Sequence, residues 1–296
     1  MKNKIIITGG SGFVGTHLSI ALLEKGYKVV VFDIRSPMVS GVDFFKVNLI
    51  DEVPREPLEG CYAVIHLAGR NIFGRWGKKA KKAIYESRIS SARNLISAIA
   101  DLNKKPEVFI SASATGIYGD RGEEKIDETS LPGDGFLAKV SVDWEEEAKK
   151  AERLGLRSVQ IRTAPALGKG GFLNKILPIY KWGLGGAIGS GKQWFSWVHI
   201  DDLVNIYIFA LENEQINGPV NACSPEPVRN KEFSDTLASV LHRPGFLKVP
   251  KWLIKLTYGE VSDVILASQK VYPKKVTGFG YKFSFPDIKS ALEDII

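Results

Sequence analysis

The chain is poor in the residues that build covalent frameworks and metal cages. Of its 296 residues, two are cysteine and four are histidine. Cys61 and Cys223 stand alone, without CxxC spacing or His partners, which excludes a disulfide-stapled scaffold or a Cys-rich metal site and points to a reducing compartment. No metal site is expected. Long apolar runs are missing too: the stretch after Lys4 is broken by Thr8, Gly9, Gly10 and Ser11, too early for a signal-peptide core, and no window reaches transmembrane length. The expectation is a cytoplasmic protein with no membrane partner, and no repeat or low-complexity linker interrupts it.

What is present suits a globular protein. Apolar residues make up 44% and charged residues 25%, enough for one large or two smaller domains. Forty Lys and Arg against 33 Asp and Glu leave a formal charge of +7, which admits an anionic partner without identifying one. The cations are dispersed, with Lys78, Lys79, Lys81 and Lys82 the densest run, and none accompanies a zinc-finger, heptad or RNA-stacking pattern. No nucleic-acid partner is expected.

Up to residue 165, short apolar runs alternate with longer amphipathic segments, the pattern of βαβ units and a parallel sheet. The runs starting at Ile5, Val29, Phe44, Ala63, Val108 and Ser158 read as strands, and the segments Gly15 to Lys25, Lys78 to Ala100 and Trp144 to Leu154 read as helices. The fold class is therefore α/β, a doubly wound parallel sheet with a smaller C-terminal lobe. Residues 1–165 form the sheet domain and 194–225 return to it; 166–193 and 226–296, rich in Gly, Trp and Pro, form the lobe.

The most specific local feature is Thr8-Gly9-Gly10-Ser11-Gly12-Phe13-Val14-Gly15, directly after the first strand and opening the first helix. In that context Gly9 permits the tight turn, Gly12 lets backbone approach a pyrophosphate and Gly15 lets helix pack on strand, while the helix N-terminus favours phosphate. Ser11, Phe13 and Val14 belong to the same cofactor-binding turn. Eighteen positions after Gly15, Asp33 ends the second strand, where a carboxylate accepts from the adenosine ribose of NAD; Arg35 is placed to pair with the 2′-phosphate of NADP. Asp33 favours NAD, and Arg35 leaves NADP open.

The glycine segment resembles the TGxxGxxG motif of the extended short-chain dehydrogenases, the NAD(P)-dependent epimerases and dehydratases. Three further segments are similar to that family in order. His66-Leu67-Ala68-Gly69 resembles its HLAA-type cofactor flank, Ser111-Ala112-Ser113-Ala114-Thr115-Gly116-Ile117-Tyr118-Gly119-Asp120 its SSxxxYG segment, and Trp197-Val198-His199-Ile200-Asp201-Asp202 its FIHVDD junction. Arg75-Trp76, Glu86-Ser87-Arg88, Gly189-Ser190-Gly191-Lys192-Gln193-Trp194, Ser268-Gln269-Lys270-Val271 and Gly278-Phe279 extend the likeness to the atypical "epimerase family" subgroup over almost the whole chain. The resemblance implies a Rossmann-type fold, with 1–165 and 194–225 as the dinucleotide-binding domain and 166–193 and 226–296 as a substrate lobe, cofactor contacts at Leu67, Ala68, Gly69, Arg88, Ser111 and Ala112, and a catalytic Ser113.

The family's reaction relies on a Tyr-xxx-Lys pair, in which Lys lowers the Tyr pKa and the phenolate exchanges a proton with a substrate hydroxyl. None of the nine tyrosines here has Lys four residues on. Aligning on Trp144-Glu145-Glu146 puts Leu137 and Ser141 at the two positions. Tyr118 is then the best remaining phenol, or a packed aromatic at a turn. Arg75, Trp76 and Trp194 are substrate-binding candidates, and Arg70, Arg75, Arg88 and Lys192 suit an anionic small-molecule substrate. His66 and His199 are assigned to neither metal nor catalysis. Two functions stay open: an NAD(P)-binding epimerase- or oxidoreductase-like enzyme, or a non-catalytic dinucleotide sensor acting on a protein partner. Either fits a monomer or a homodimer.

Overall fold

The computed structural model describes residues 3–296. Seven strands form one parallel sheet: β1 (Lys4–Thr8), β2 (Lys28–Asp33), β3 (Asp43–Lys46), β4 (Ala63–His66), β5 (Val108–Ala114), β6 (Arg157–Thr163) and β7 (Gly218–Ala222). Their spatial order is β7-β6-β5-β4-β1-β2-β3. Because side chains alternate along a strand, Ile5 and Ile7 face one layer and Ile6 the other. Both layers are helical, which is why the strands read as continuous apolar runs. On the first face, α1 (Phe13–Glu24) and α5 (Ile200–Glu212) bring Leu18, Leu22, Leu203 and Ile206 onto Ile5, Val31 and Val159. On the second, α2 (Lys78–Ala100) and α3 (Phe136–Lys149) bring Leu95, Ile99 and Ala148 onto Val30, Val64 and Phe109.

The helix expected from Trp144 begins eight residues earlier, at Phe136, and its last turn, Lys150–Leu154, is a 3-10 helix. Gly135, at φ +103°, sets the start, and Ala138 and Val140 extend the buried stripe that Trp144 and Ala148 continue. That earlier start places Leu137 and Ser141 on a helix facing the ends of the strands.

Beyond the sheet, α4 (Leu173–Lys181), α6 (Asn230–Val240) and the C-terminal helix Ile288–Ile295 enclose a separate cluster around Trp197, Phe233 and Leu292. Trp197 is fully buried, and its Nε1 donates to Glu226 O at 3.2 Å. Buried Asp202 ties the lobe to α5: its carboxylate accepts from Tyr281 Oη at 3.0 Å and from Ser284 N and Phe285 N at 2.9 Å. Gly186–Ile188 and Leu247–Val249 pair in parallel, setting the exit of α4 beside the start of α7 (Lys251–Tyr258). Among the described residues no helix is long and apolar enough to cross a membrane.

Candidate functional site

The β1–α1 turn has no room for side chains. Gly9 sits at φ +72°, a conformation that favours glycine, and a Cβ there would lie 2.8 Å from Ala68 N. A Cβ on Gly15 would meet Gly9 O at 2.5 Å, so only glycine lets α1 start this close to β1. Gly12 caps α1 and offers no side chain to its first-turn N–H groups. Those donors, with the helix dipole, are the cradle that a pyrophosphate fits.

Beside this turn, Asp33 Oδ2 accepts from Ser11 N at 3.0 Å and Oδ1 from Arg35 N at 3.1 Å. Ser11 Oγ closes the loop by donating to Arg35 O at 2.6 Å. The Asp33 carboxylate thus organises the backbone of the turn. The exposed Arg35 guanidinium forms no ion pair among the described residues.

At the C-terminal ends of the strands, near the point where chain order reverses between β1 and β4, lies a cavity of about 250 Å³. Val14, Leu67 and Gly69 line it from the glycine-turn side; Ala112, Ser113 and Thr163 from β5 and β6; Leu137, Ser141 and Trp144 from α3; and Arg88 from α2. The structure therefore brings Val14, Leu67, Gly69, Arg88, Ala112 and Ser113 together. Leu137 and Ser141 stand in the same wall.

Ser113 is buried, and its Oγ donates to Glu145 Oε1 at 2.6 Å. Arg162 grips the same carboxylate with two hydrogen bonds of 2.8 Å, Nε to Oε1 and Nη2 to Oε2. Burial opposes the Arg162 charge, yet the bonds to Glu145 raise its pKa above the ordinary value. Sequence reasoning missed both Glu145 and Arg162. Glu145 served only as an alignment mark, and Arg162 read as the end of an apolar strand; a buried charge reveals its partner only when helix meets sheet.

Tyr118, which the sequence offers as a phenol or a packed aromatic at a turn, lies outside the cavity lining, fully buried. Its Oη donates to Asn221 Oδ1 at 2.7 Å and accepts from Arg162 Nη1 at 2.9 Å. Burial pushes its pKa up to about 12, so the phenol braces Arg162 rather than titrating. Ser111 is likewise buried, donating to Ala112 O at 3.0 Å.

Arg88 is the cation of the cavity. Its Nη1 donates to Arg70 O at 3.0 Å and Ile84 O at 3.2 Å, its guanidinium lies 5.3 Å from the Trp144 ring centre, and no carboxylate pairs with it among the described residues. Burial lowers its pKa to about 10. Below it His66 is buried, with Nδ1 2.7 Å from Thr8 Oγ1 and Nε2 3.3 Å from Ser91 Oγ, and burial pushes its pKa down to about 4. It is a neutral strut. His199 lies beside Asp201 and Asp294, but its Nδ1 accepts from Asp201 N at 3.2 Å, which leaves the proton on Nε2 and no lone pair there for a metal.

The remaining candidates fall elsewhere. Arg75 Nη2 donates to Leu256 O at 2.8 Å, joining the segment after β4 to α7. Trp76 Nε1 donates to Ile72 O at 2.7 Å, and its ring meets Phe136 edge-on at 5.3 Å. Neither lines the cavity, although both hold the segment that carries Ile72 into its wall. Trp194 is sandwiched between Arg229 and Lys270, at 3.8 and 4.0 Å from its ring centre, and donates to Glu123 Oε2 at 2.9 Å, outside the lining.

Comparison with known proteins agrees with this geometry. The model of the NAD dependent epimerase/dehydratase family matches residues 5–223, and that of a domain of unknown function, DUF1731, matches residues 249–295. The chain is 37% identical over 296 residues to the epimerase family protein YfhF of Bacillus subtilis, covering 99% of this chain and 98% of that protein. It is 36% identical over 300 residues to an Arabidopsis thaliana chloroplastic epimerase family protein, an SDR39U1 homolog, covering 99% and 86%. Among solved structures, human epimerase family protein SDR39U1 (isoform 2) with NADPH superimposes with a TM-score of 0.89 at 30% identity, covering 99% of this chain and 98% of that one.

Proposed function

Because the chain belongs to the NAD dependent epimerase/dehydratase family, we propose that it is an oxidoreductase- or epimerase-like enzyme that binds NADP(H) and acts on a small substrate hydroxyl at Ser113. Residues 1–165 and 194–225 hold the cofactor, and 166–193 and 226–296 form the substrate lobe. Gly9, Gly12, Phe13, Val14 and Gly15 would hold the pyrophosphate, and Ser11 and Asp33 shape the loop that presents Arg35 to a 2′-phosphate. Leu67, Ala68, Gly69, Arg88, Ser111 and Ala112 form the cofactor flank. Bound there, the nicotinamide supplies the two-electron redox chemistry.

One observation carries the reading: the Ser113 hydroxyl is committed to Glu145 in a cavity that Leu137 and Ser141, the residues aligned with the family's Tyr and Lys, also line. With its proton turned to the carboxylate, Ser113 presents lone pairs to the cavity, and so accepts from a substrate hydroxyl rather than donating to a carbonyl. Glu145, fixed by Arg162, sets the Ser113 rotamer and, through Ser113 Oγ, is the acceptor for the proton that the substrate hydroxyl gives up. Tyr118 and Asn221 in turn brace Arg162.

Reduced-nicotinamide absorbance across a panel of secondary alcohols tests this. Turnover of at least one, with Ser113→Ala lowering kcat/KM by about 100-fold or more, is expected; Ser113→Ala at full activity overturns the assignment. A second reading, a non-catalytic dinucleotide sensor, is favoured by Leu137 and Ser141. It predicts tight cofactor binding, no turnover across the panel and a specific protein partner.

A further inference from the structure

Segments 172–192 and 242–259 hold seven cations, Lys175, Lys181, Lys192, Arg243, Lys248, Lys251 and Lys255, and no carboxylate. Seven is also the net charge of the whole chain, whose remaining 33 cations match its 33 carboxylates. All seven are exposed and none forms a salt bridge among the described residues, but Lys192 shares a groove with Glu123, Glu232 and Asp235, and Lys175 lies 4.1 Å from the Phe73 ring centre, so Lys181, Arg243, Lys248, Lys251 and Lys255 are the cations of the open face. The two segments are neighbours: Gly186–Ile188 pairs with Leu247–Val249, Gly183 lies against Pro244, and Gly189 lies against the Lys251 side chain.

The same surface carries large apolar side chains that the fold does not bury. Trp182, Phe246 and Trp252 are 83%, 80% and 65% exposed, and Ile179, Leu184 and Leu256 stand out with them. In α7 the only buried residue is Ile254, about half a turn away from the face that Trp252 and Leu256 share, so the apolar arc points away from the protein. Monomeric proteins seldom leave such a patch open without a use.

We propose that this face docks on an anionic phospholipid surface, with Trp182, Phe246, Trp252 and Leu256 entering the headgroup boundary and the lysines meeting lipid phosphates. A nucleic acid would satisfy the cations but leave the Trp and Leu side chains in water. A second copy would set like charges against each other across a two-fold contact. The lack of a spanning helix, which led to the expectation of no membrane partner, says nothing about a surface that binds from outside. The proposal is independent of the chemistry at Ser113.

The test is flotation with vesicles of phosphatidylcholine alone and of phosphatidylcholine and phosphatidylglycerol in equal parts. The protein floats with the mixed vesicles only, with a blue-shifted tryptophan emission. The doubles Trp182→Ala/Trp252→Ala and Lys251→Glu/Lys255→Glu each lower partitioning at least about tenfold while NADPH binding is unchanged, which also reports that they fold. No flotation with the mixed vesicles, flotation unaltered by both doubles, or dimerisation through these residues without vesicle binding overturns the proposal.

Discussion

A single buried carboxylate decides what Ser113 can do, and a single buried guanidinium decides where that carboxylate sits. Glu145 and Arg162 side chains are 14% and 8% exposed, so removing either partner strands a charge. Arg162→Ala should therefore cost about 3–5 kcal/mol in denaturant unfolding. A loss under about 1 kcal/mol would show the pair to be a solvated surface contact. His66 gives a second residue-level prediction. Its folded pKa of about 4 lies below the unfolded value near 6.5, so the unfolded chain binds the extra proton as pH falls. Its neutral form stabilises fully above about pH 6.5, and that contribution is lost between about 6.5 and 4. His66→Gln should flatten the stability profile over that window; an unchanged slope would contradict the assignment.

At the scale of elements, the strands and the glycine turn were legible because each is a local signal: a run of β-branched residues covered on both faces, or a glycine where no Cβ fits. Gly15→Ala sets a Cβ against backbone atoms of Gly9 and Gly10 that cannot yield, and should cost about 1–3 kcal/mol of stability. Gly12→Ala has only Gly9 O near, at 3.2 Å, and should weaken cofactor binding more than folding. Calorimetry beside denaturant melts separates the two effects, and equal stability losses would contradict this division of roles. The start of α3 was not legible, since Phe136 to Asp143 lacks the charge pattern that marks Trp144 onward. Nor was the Glu145–Arg162 pair, which joins α3 to β6 and has no spacing within either. Tyr118 was singled out by its loop, but its environment comes from Asn221, more than a hundred residues away.

For the molecule as a whole, composition gave the size of the positive excess but not its location. Cations that look dispersed along the chain gather when α4 and α7 meet through a pair of three-residue strands. The proposed cofactor turn needs none of that charge, because backbone donors and a helix N-terminus would serve a pyrophosphate. The sheet thus presents a cofactor cradle and a cavity at one edge, while the lobe carries a basic, aromatic face of its own. Calorimetric titration with NADPH and NADH tests the central claim most directly. NADPH should bind at least about tenfold tighter, about 1.4 kcal/mol, with the preference lost in Arg35→Ala. Failure to bind either dinucleotide would contradict the account.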